Sequence, residues 1–400
     1  MKKFKYVSLL MPLLLVACFH PPTPNVEEAI QNADPNTILS LSNDITNDYF
    51  KTALPFLPSP ARGLIFSHIR NRADIIQVER SLMRIATDYF DPEFHYIREG
   101  QHLTRDFASS LLRHQNPEPT NTEIESRRGL NAAIGTPISF GDATFSNHID
   151  DDIRYLIRPF AYLVEQNFVT ISDNNQFELE GVAIGIALNP FYFETNTATG
   201  FEHLHQMPDA DILEIGKEIA ANLLPQLRES EETGGAGLEE VPILIGLYIL
   251  RSDQAVIPGH FASVTFVEEG RSSIRDWVTV HERHFILPDP AINEINVHDV
   301  DINEQFNSFR ETITNYFPHQ NGIVGRVHFV DNNVYRVSIT VNISFLGATE
   351  KMSFFQLMEE YVMNFSREYD IRIIVRDLET QLGAINRPPG GEPAIHLLDW

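Results

Sequence analysis

His281-Glu282-Arg283-His284 has the composition of a metallopeptidase motif, in which two histidines on one helix face bind zinc and a glutamate between them activates water. That motif needs its histidines four residues apart. Here they are three apart, in a β-like segment ahead of Pro288, and on a strand positions i and i+3 point to opposite faces. The expectation is strand residues around a core Phe285, with no metal. His203-Leu204-His205 is better spaced for an ion, since i and i+2 share a face of an extended segment and Asp209 and Asp211 follow closely. Without further ligands it reads as a polar loop before a helix. Asp150-Asp151-Asp152 could hold a hard cation such as Ca²⁺, but acids at a helix start complement the macrodipole and are explained without one. His298, Asp299 and Asp301 read as solvated loop. Arg62 and Arg72 could bind an anionic ligand, or be taken up in buried ion pairs with Asp74 or Glu79. Gly234-Gly235-Ala236-Gly237 lacks the Lys-Ser/Thr ending of a phosphate loop. No catalytic residue, cofactor or metal site emerges, and the candidates for ligand binding are Arg62, Arg72, His203 and His205.

The clearest chemistry belongs to Cys18, the one cysteine among 400 residues. A single Cys excludes an intrachain disulfide, a Cys-based zinc site and a Cys-x-x-Cys redox motif together. Ahead of it lie a basic stretch, Met1–Lys5, and an apolar one, Tyr6–Val16, too short for a bilayer-spanning helix, which takes roughly twenty residues. Leu15-Val16-Ala17-Cys18 reads as a lipobox, where the thiol takes a diacylglyceryl group and the lipoprotein signal peptidase cuts before it. The expected organisation is a signal peptide at 1–17 and a flexible, Pro-rich tether at 18–48, with a reach on the order of 30 Å. An N-terminal α+β ectodomain at 49–290 and a C-terminal α+β domain at 300–400 follow. The partners implied are the signal peptidase, the membrane through the lipid anchor, and an unknown ligand or protein.

Composition narrows the choice of partner. Thirty Lys+Arg against fifty-five Asp+Glu give −25, a balance that repels phosphate backbones and excludes nucleic-acid binding as an overall function. With 43% hydrophobic residues against 21% charged, the chain can bury a core.

Those residues must be positioned by elements that periodicity and turn chemistry suggest. Asp74–Phe90 and Thr104–His114 have helical spacing, with Thr104 as N-cap. Gln115–Phe145 reads as irregular. Asp150–Glu165 has a helical apolar stripe, interrupted at Pro159. Phe168–Ser172 and Phe177–Asn189 flank a turn-rich link and suggest a hairpin. Beyond it, Gly181–Asn189, Ala210–Arg228, Val241–Leu250 and His260–Val267 read as β-α-β-β. Val334–Phe345, Ser353–Glu368, Asp370–Asp377 and Gln381–Asn386 repeat that order. The fold class is α+β, mixed sheets with packed helices, with a β-α-β-β unit duplicated in the second half.

Several collinear blocks resemble one family. Tyr49–Leu64 (YFKTALPFLPSPARGL), Asn71-Arg72-Ala73-Asp74-Ile75, Arg98–Leu103, Gly129-Leu130-Asn131 and Glu180–Asn189 carry the likeness in the first half. Val256-Ile257-Pro258-Gly259, Trp277 with His281–Pro288, Tyr316-Phe317-Pro318, Gly322–Gly325, Arg387-Pro388-Pro389-Gly390 and Ala394–Asp399 continue it. Together they resemble the CamS sex-pheromone precursor lipoproteins over residues 49–399. The resemblance implies a lipoprotein on the outer face of a Gram-positive cytoplasmic membrane, with no established ectodomain activity. It also implies a signal peptide trimmed to a short hydrophobic pheromone that induces conjugative plasmid transfer, here Met11-Pro12-Leu13-Leu14-Leu15-Val16-Ala17. Pro12 and the lack of an aromatic residue depart from the family's peptide. The alternative reading is an extracytoplasmic enzyme acting on cell-envelope material, with Arg62, His203 and His205 sharing a cleft.

Overall fold

The computed structural model describes residues 50–115, 128–133, 136–140, 143–146, 153–173, 176–289, 297–317, 320–344, 347–377 and 380–398. The signal peptide and tether, with Met11, Pro12, Leu13, Leu14, the lipobox and Cys18, lie outside them, as do Asp150–Asp152.

The first part of the chain runs β1 (Lys51–Thr52), α1 (Ile65–His68), α2 (Arg72–Ala86), β2 (Tyr96–Glu99), α3 (Arg105–Leu111), β3 (Pro137–Phe140), β4 (Ala143–Ser146), β5 (Ile153–Leu156) and β6 (Phe160–Ile171). It continues through β7 (Phe177–Leu188), β8 (Phe191–Asn196), β9 (Glu202–Gln206), α4 (Asp209–Arg228), β10 (Ile243–Ile249), β11 (His260–Val267) and β12 (Val278–Thr279). The second part is β13 (Glu282–Leu287), α5 (Val297–Tyr316), β14 (Gln320–Val330), β15 (Asn333–Ile343), α6 (Ala348–Tyr361), β16 (Asp370–Asp377), β17 (Thr380–Arg387) and β18 (Ala394–Leu397).

Two large mixed sheets organise these elements. The first has the order β1-β2-β6-β7-β10-β11-β12, the second β13-β14-β15-β16-β17-β18, and β3-β4 and β5-β8-β9 form small sheets beside them. In each large sheet a hairpin (β6-β7, β14-β15) is followed by a helix, a strand parallel to the hairpin's second strand (β10, β16) and an antiparallel return (β11, β17). The β-α-β-β duplication expected from sequence is therefore present. It extends further, because β2 pairs antiparallel with β6 as β13 does with β14.

The sheets differ in how they are covered. Gly185 of β7 faces Val78 and Leu82 of α2, whereas Gly216 of α4 sits against Leu188 and Leu247 on the opposite face. The first sheet is thus enclosed by helices on both faces, and its central strands are buried almost throughout. In the second sheet Gly325 faces Phe306 of α5, and Gly383 faces Phe355 of α6. Both helices therefore lie on one face, where Val327, Phe329, Val337, Ile339, Ile371 and Ile373 complete a separate core. The other face alternates to polar residues, as the period of a strand requires.

Several expectations are corrected. Asp150–Glu165 is not a helix: its described residues form β5 and the start of β6, on either side of Pro159. A strand buried on both faces is apolar at nearly every position, so a helical stripe can be drawn through it by chance. Gln115–Phe145 contains β3 and β4, and His298, Asp299 and Asp301 begin α5 rather than lying in a loop. Helices α2, α3 and α4 stand within a few residues of their expected bounds, α6 (Ala348–Tyr361) begins and ends earlier than the expected Ser353–Glu368, and α1 and α5 are not among the expected helices. Thr104 accepts from the Phe107 N–H as the N-cap of α3, and Asn71 caps α2.

Candidate functional site

Helix α2 is where the two sheets meet. Val78, Leu82 and Ile85 turn inward to the first core, as spacing of three and four residues dictates. The neighbouring stripe, Ala73, Ile76, Gln77, Arg80, Ser81 and Arg84, faces the polar side of the second sheet across a cleft of about 150 Å³. The sheet wall is set by register: His284 lies opposite His328 and His328 opposite Arg336, while Arg326 lies opposite Ser338. Alternation keeps His284, Arg326, His328, Arg336 and Ser338 on one surface, and all of them line the cleft.

Glu282 closes the inner end. Its buried Oε1 accepts from Ser81 Oγ (2.6 Å), His328 Nε2 (2.7 Å) and Arg84 Nη2 (3.4 Å), and Oε2 accepts from the Phe261 N–H (3.0 Å). Burial alone would raise the Glu282 carboxyl. The hydrogen bond and charge of His328, the charge of Arg84 and the Ser81 hydroxyl outweigh it and hold the group well below the usual carboxylate range. His284 stacks on His328 with ring centroids 4.3 Å apart, 8% exposed, and neither ring nitrogen has a hydrogen-bond partner. Burial lowers its pKa to about 3, with the positive charge of His328 adding to the effect.

Glu282, His284 and His328 bring one ligand atom each within 4.8 Å of one another, a spacing that could hold a metal ion. Sequence spacing assigns no metal to His281 and His284; the second imidazole beside His284 comes instead from His328 on β14, which local spacing does not disclose. Charge argues against a cation even so. The Glu282 carboxylate already accepts four donors, one of them Arg84, and Arg80, Arg326 and Arg336 line the same cleft. Those groups, with the unpartnered His284, suit an anion.

The residues singled out from sequence fall elsewhere. His203 and His205 share a face of β9, with ring centroids 4.5 Å apart, and His205 Nε2 lies 2.8 Å from Glu194 Oε2 on β8. This is a half-buried imidazole–carboxylate pair on a hairpin, with His205 also stacked on the buried Tyr192 ring. Arg62 lies over the Phe56 ring at 5.5 Å and lines a separate, more apolar cleft of about 460 Å³ with Phe66, Met83 and Leu103. His203 and His205 do not line that cleft, so the structure does not gather the three into one site. Arg72 is exposed in the first turn of α2. The expected pairing of Asp74 with an arginine side chain is replaced: its carboxylate accepts from Tyr248 Oη, the Arg251 N–H and the Gly259 N–H. Burial raises the Asp74 pKa, and those donors offset part of the rise.

An α+β chain with two sheets of repeated strand order and a cationic cleft between them defines the class. The sequence matches the family described as CamS sex pheromone cAM373 precursor over residues 56–393, and the chain belongs to that family. A crystal structure of the sex pheromone precursor of Lactobacillus salivarius subsp. salivarius UCC118 superposes with a TM-score of 0.73 at 18% identity, covering 90% of this chain and 98% of that one. The C-terminal domain of the sex pheromone staph-cAM373 precursor from Staphylococcus aureus gives 0.65 at 18% identity, covering 83% and 99%. At that identity the likeness is one of fold. No curated protein matches the sequence. Among the described residues no helix is long and apolar enough to cross a membrane.

Proposed function

We propose that the chain is a surface lipoprotein anchored through Cys18, that its signal peptide is the source of the pheromone Met11–Ala17, and that its ectodomain binds an anionic ligand in the cleft beside α2. Family membership and the lipobox support the first two parts. The observation that carries the third is that Arg80 and Arg326, which enter no ion pair among the described residues, share the cleft with the ion-paired Arg84 and Arg336 and with the buried His284, whose ring nitrogens have no hydrogen-bond partner, in a chain whose net charge is −25. Like charges set together destabilise a fold, and an anion bound among them relieves the repulsion.

Each part has its own test. Cys18→Ala should release the protein from the membrane fraction, and persistent retention would overturn the anchor. Synthetic MPLLLVA should induce conjugation in recipients that carry a responsive plasmid; no response at any dose refutes the peptide. Titration calorimetry with inorganic phosphate should show binding that Arg326→Gln weakens about tenfold, the loss of one charge-assisted contact. An unchanged affinity would remove the cleft from consideration.

A further inference from the structure

The cleft is one end of a longer surface. On the face of the second sheet not covered by α5 and α6, one row of cross-strand neighbours reads Ile286, Arg326, Ser338, Arg372, Asn386 and Ala394. The row on the α2 side reads His284, His328, Arg336 and Asp370. Two rows further along β16, Asn342, Arg376 and Gln381 lie side by side. Glu282 and Asp370 are the carboxylates on this face among the described strand residues, and both are engaged. Glu282 is buried behind the cleft, and Asp370 pairs with Arg336 at 2.6 Å and Arg372 at 3.2 Å. Arg80, Arg326 and Arg376 enter no ion pair among the described residues and are exposed. Ser338, Asn342, Gln381 and Asn386 beside them can donate hydrogen bonds, while the row between Arg372 and Arg376 reads Val324, Thr340, Ile374, Ala384 and His396, so the strip is polar at its two arginine rows and mostly apolar between them.

We propose that this face is a track for a linear polyanion bearing repeated phosphate groups, laid from the α2 cleft across β14 and β16. The inference rests on the reading of the cleft as an anion site and adds the class of ligand. Spacing decides between a single anion and a chain. Arg326 and Arg372 are two strands apart, about 10 Å at a strand separation of about 4.8 Å. Arg372 and Arg376 are four residues apart on one strand, about 13 Å at about 3.3 Å per residue. One phosphate cannot reach across such intervals, and a flexible chain of them can touch every arginine in turn. The acidic surface elsewhere repels the same polymer and confines it to this strip.

The test compares inorganic phosphate, short and long linear polyphosphates, and vesicles containing anionic lipid, on the intact protein. Affinity should rise with polyphosphate length. Arg372→Gln with Arg376→Gln should weaken the long polymer at least tenfold, leave inorganic phosphate unchanged, and reduce the slope of log affinity against log salt by about 0.7 per arginine removed. The corresponding Lys pair should retain most of the binding, with an unfolding midpoint equal to the parent's showing that the fold is intact. Phosphate binding without length dependence, or indifference to the double substitution, overturns the track and leaves the cleft. Binding of neither phosphate nor polyphosphate overturns both. Vesicles held as tightly as the long polymer would overturn the polymer in favour of a lipid surface.

Discussion

Replacing Glu282 with Ala should cost about 3–5 kcal/mol, the usual penalty for breaking a buried charged network from one side. The magnitude follows from what the carboxylate holds. Three donors lie within 3.0 Å, Ser81 Oγ, His328 Nε2 and the Phe261 N–H, and Arg84 is more distant at 3.4 Å. Hydrogen bonds to a charged group contribute about 1.5–3 kcal/mol each, so the three short ones sum to more than the net effect. The difference is the desolvation that burying the carboxylate incurs and that its removal returns. These donors come from α2, β11 and β14, so the carboxylate fastens the helix and the first sheet to the second. Urea unfolding, followed by tryptophan fluorescence and circular dichroism together, should show one transition in the parent and two in Glu282→Ala, because each sheet keeps its own core once the tie is lost. Glu282→Gln should fall between parent and Ala, since its amide retains one acceptor and sets an N–H against the remaining donors. A loss below about 1 kcal/mol in Glu282→Ala, with one transition preserved, would refute the idea that this residue couples the halves.

Acid should weaken the same region. His284 has a folded pKa of about 3 against an ordinary 6.5, so the unfolded chain binds a proton that the folded chain refuses. Its contribution is intact above pH 6.5 and lost as the pH falls from there toward 3, at up to about 1.4 kcal/mol for each pH unit. Glu282, depressed from 4.5, adds a loss that begins below that value, so the urea midpoint should fall steadily from pH 7 to pH 4 and less steeply in His284→Leu. Gly181→Ala would drive a methyl into the Phe90 ring and should cost about 1–3 kcal/mol, read as a lowered melting temperature. Arg387 is fully buried and donates to the carbonyls of Val362, Phe365, Ser366 and Tyr369, and among the described residues no carboxylate pairs with its guanidinium. Arg387→Met should cost about 3 kcal/mol or more by leaving those acceptors unpaired, and Arg387→Lys should recover little, because one ammonium cannot reproduce the planar fork.

What the sequence discloses depends on how local the cause is. The α2 stripe, the caps at Asn71 and Thr104 and the repeated β-α-β-β order are written within a few residues of where they act. The first half of β6, Phe160–Glu165, reads as helix for the converse reason, whereas its second half reads as strand. The burial of β6 comes from helices on both sides of the sheet, which removes the polar–apolar alternation that marks a half-exposed strand. The cleft was illegible because it is a matter of register. His284 and His328 are forty-four positions apart and meet only because β13 and β14 pair with those two residues opposite each other.

The blocks that resemble the CamS family nevertheless pointed at these joints without saying why. Asn71 reaches from one block to the carbonyls of Ser252 and Ala255, just before another, and Asp74 accepts from Gly259 at that block's end. Glu165 receives the N–H groups of Gln101, His102 and Leu103, and Gly100 packs so closely on it that a Cβ would not fit. The His281–Pro288 block carries Glu282, and the Arg387–Gly390 block opens with the buried guanidinium. These positions use buried polar groups to satisfy backbone from another part of the chain, where a substitution leaves a partner unpaired and its cost exceeds that of an ordinary apolar change. Among the arginines of the open sheet face, Arg336 and Arg372 pair with Asp370, Arg336 also lies over the Tyr335 ring, and Arg326 and Arg376 enter no ion pair among the described residues. Stability alone would not place them side by side in so acidic a chain, and a bound anion supplies the missing counter-charge.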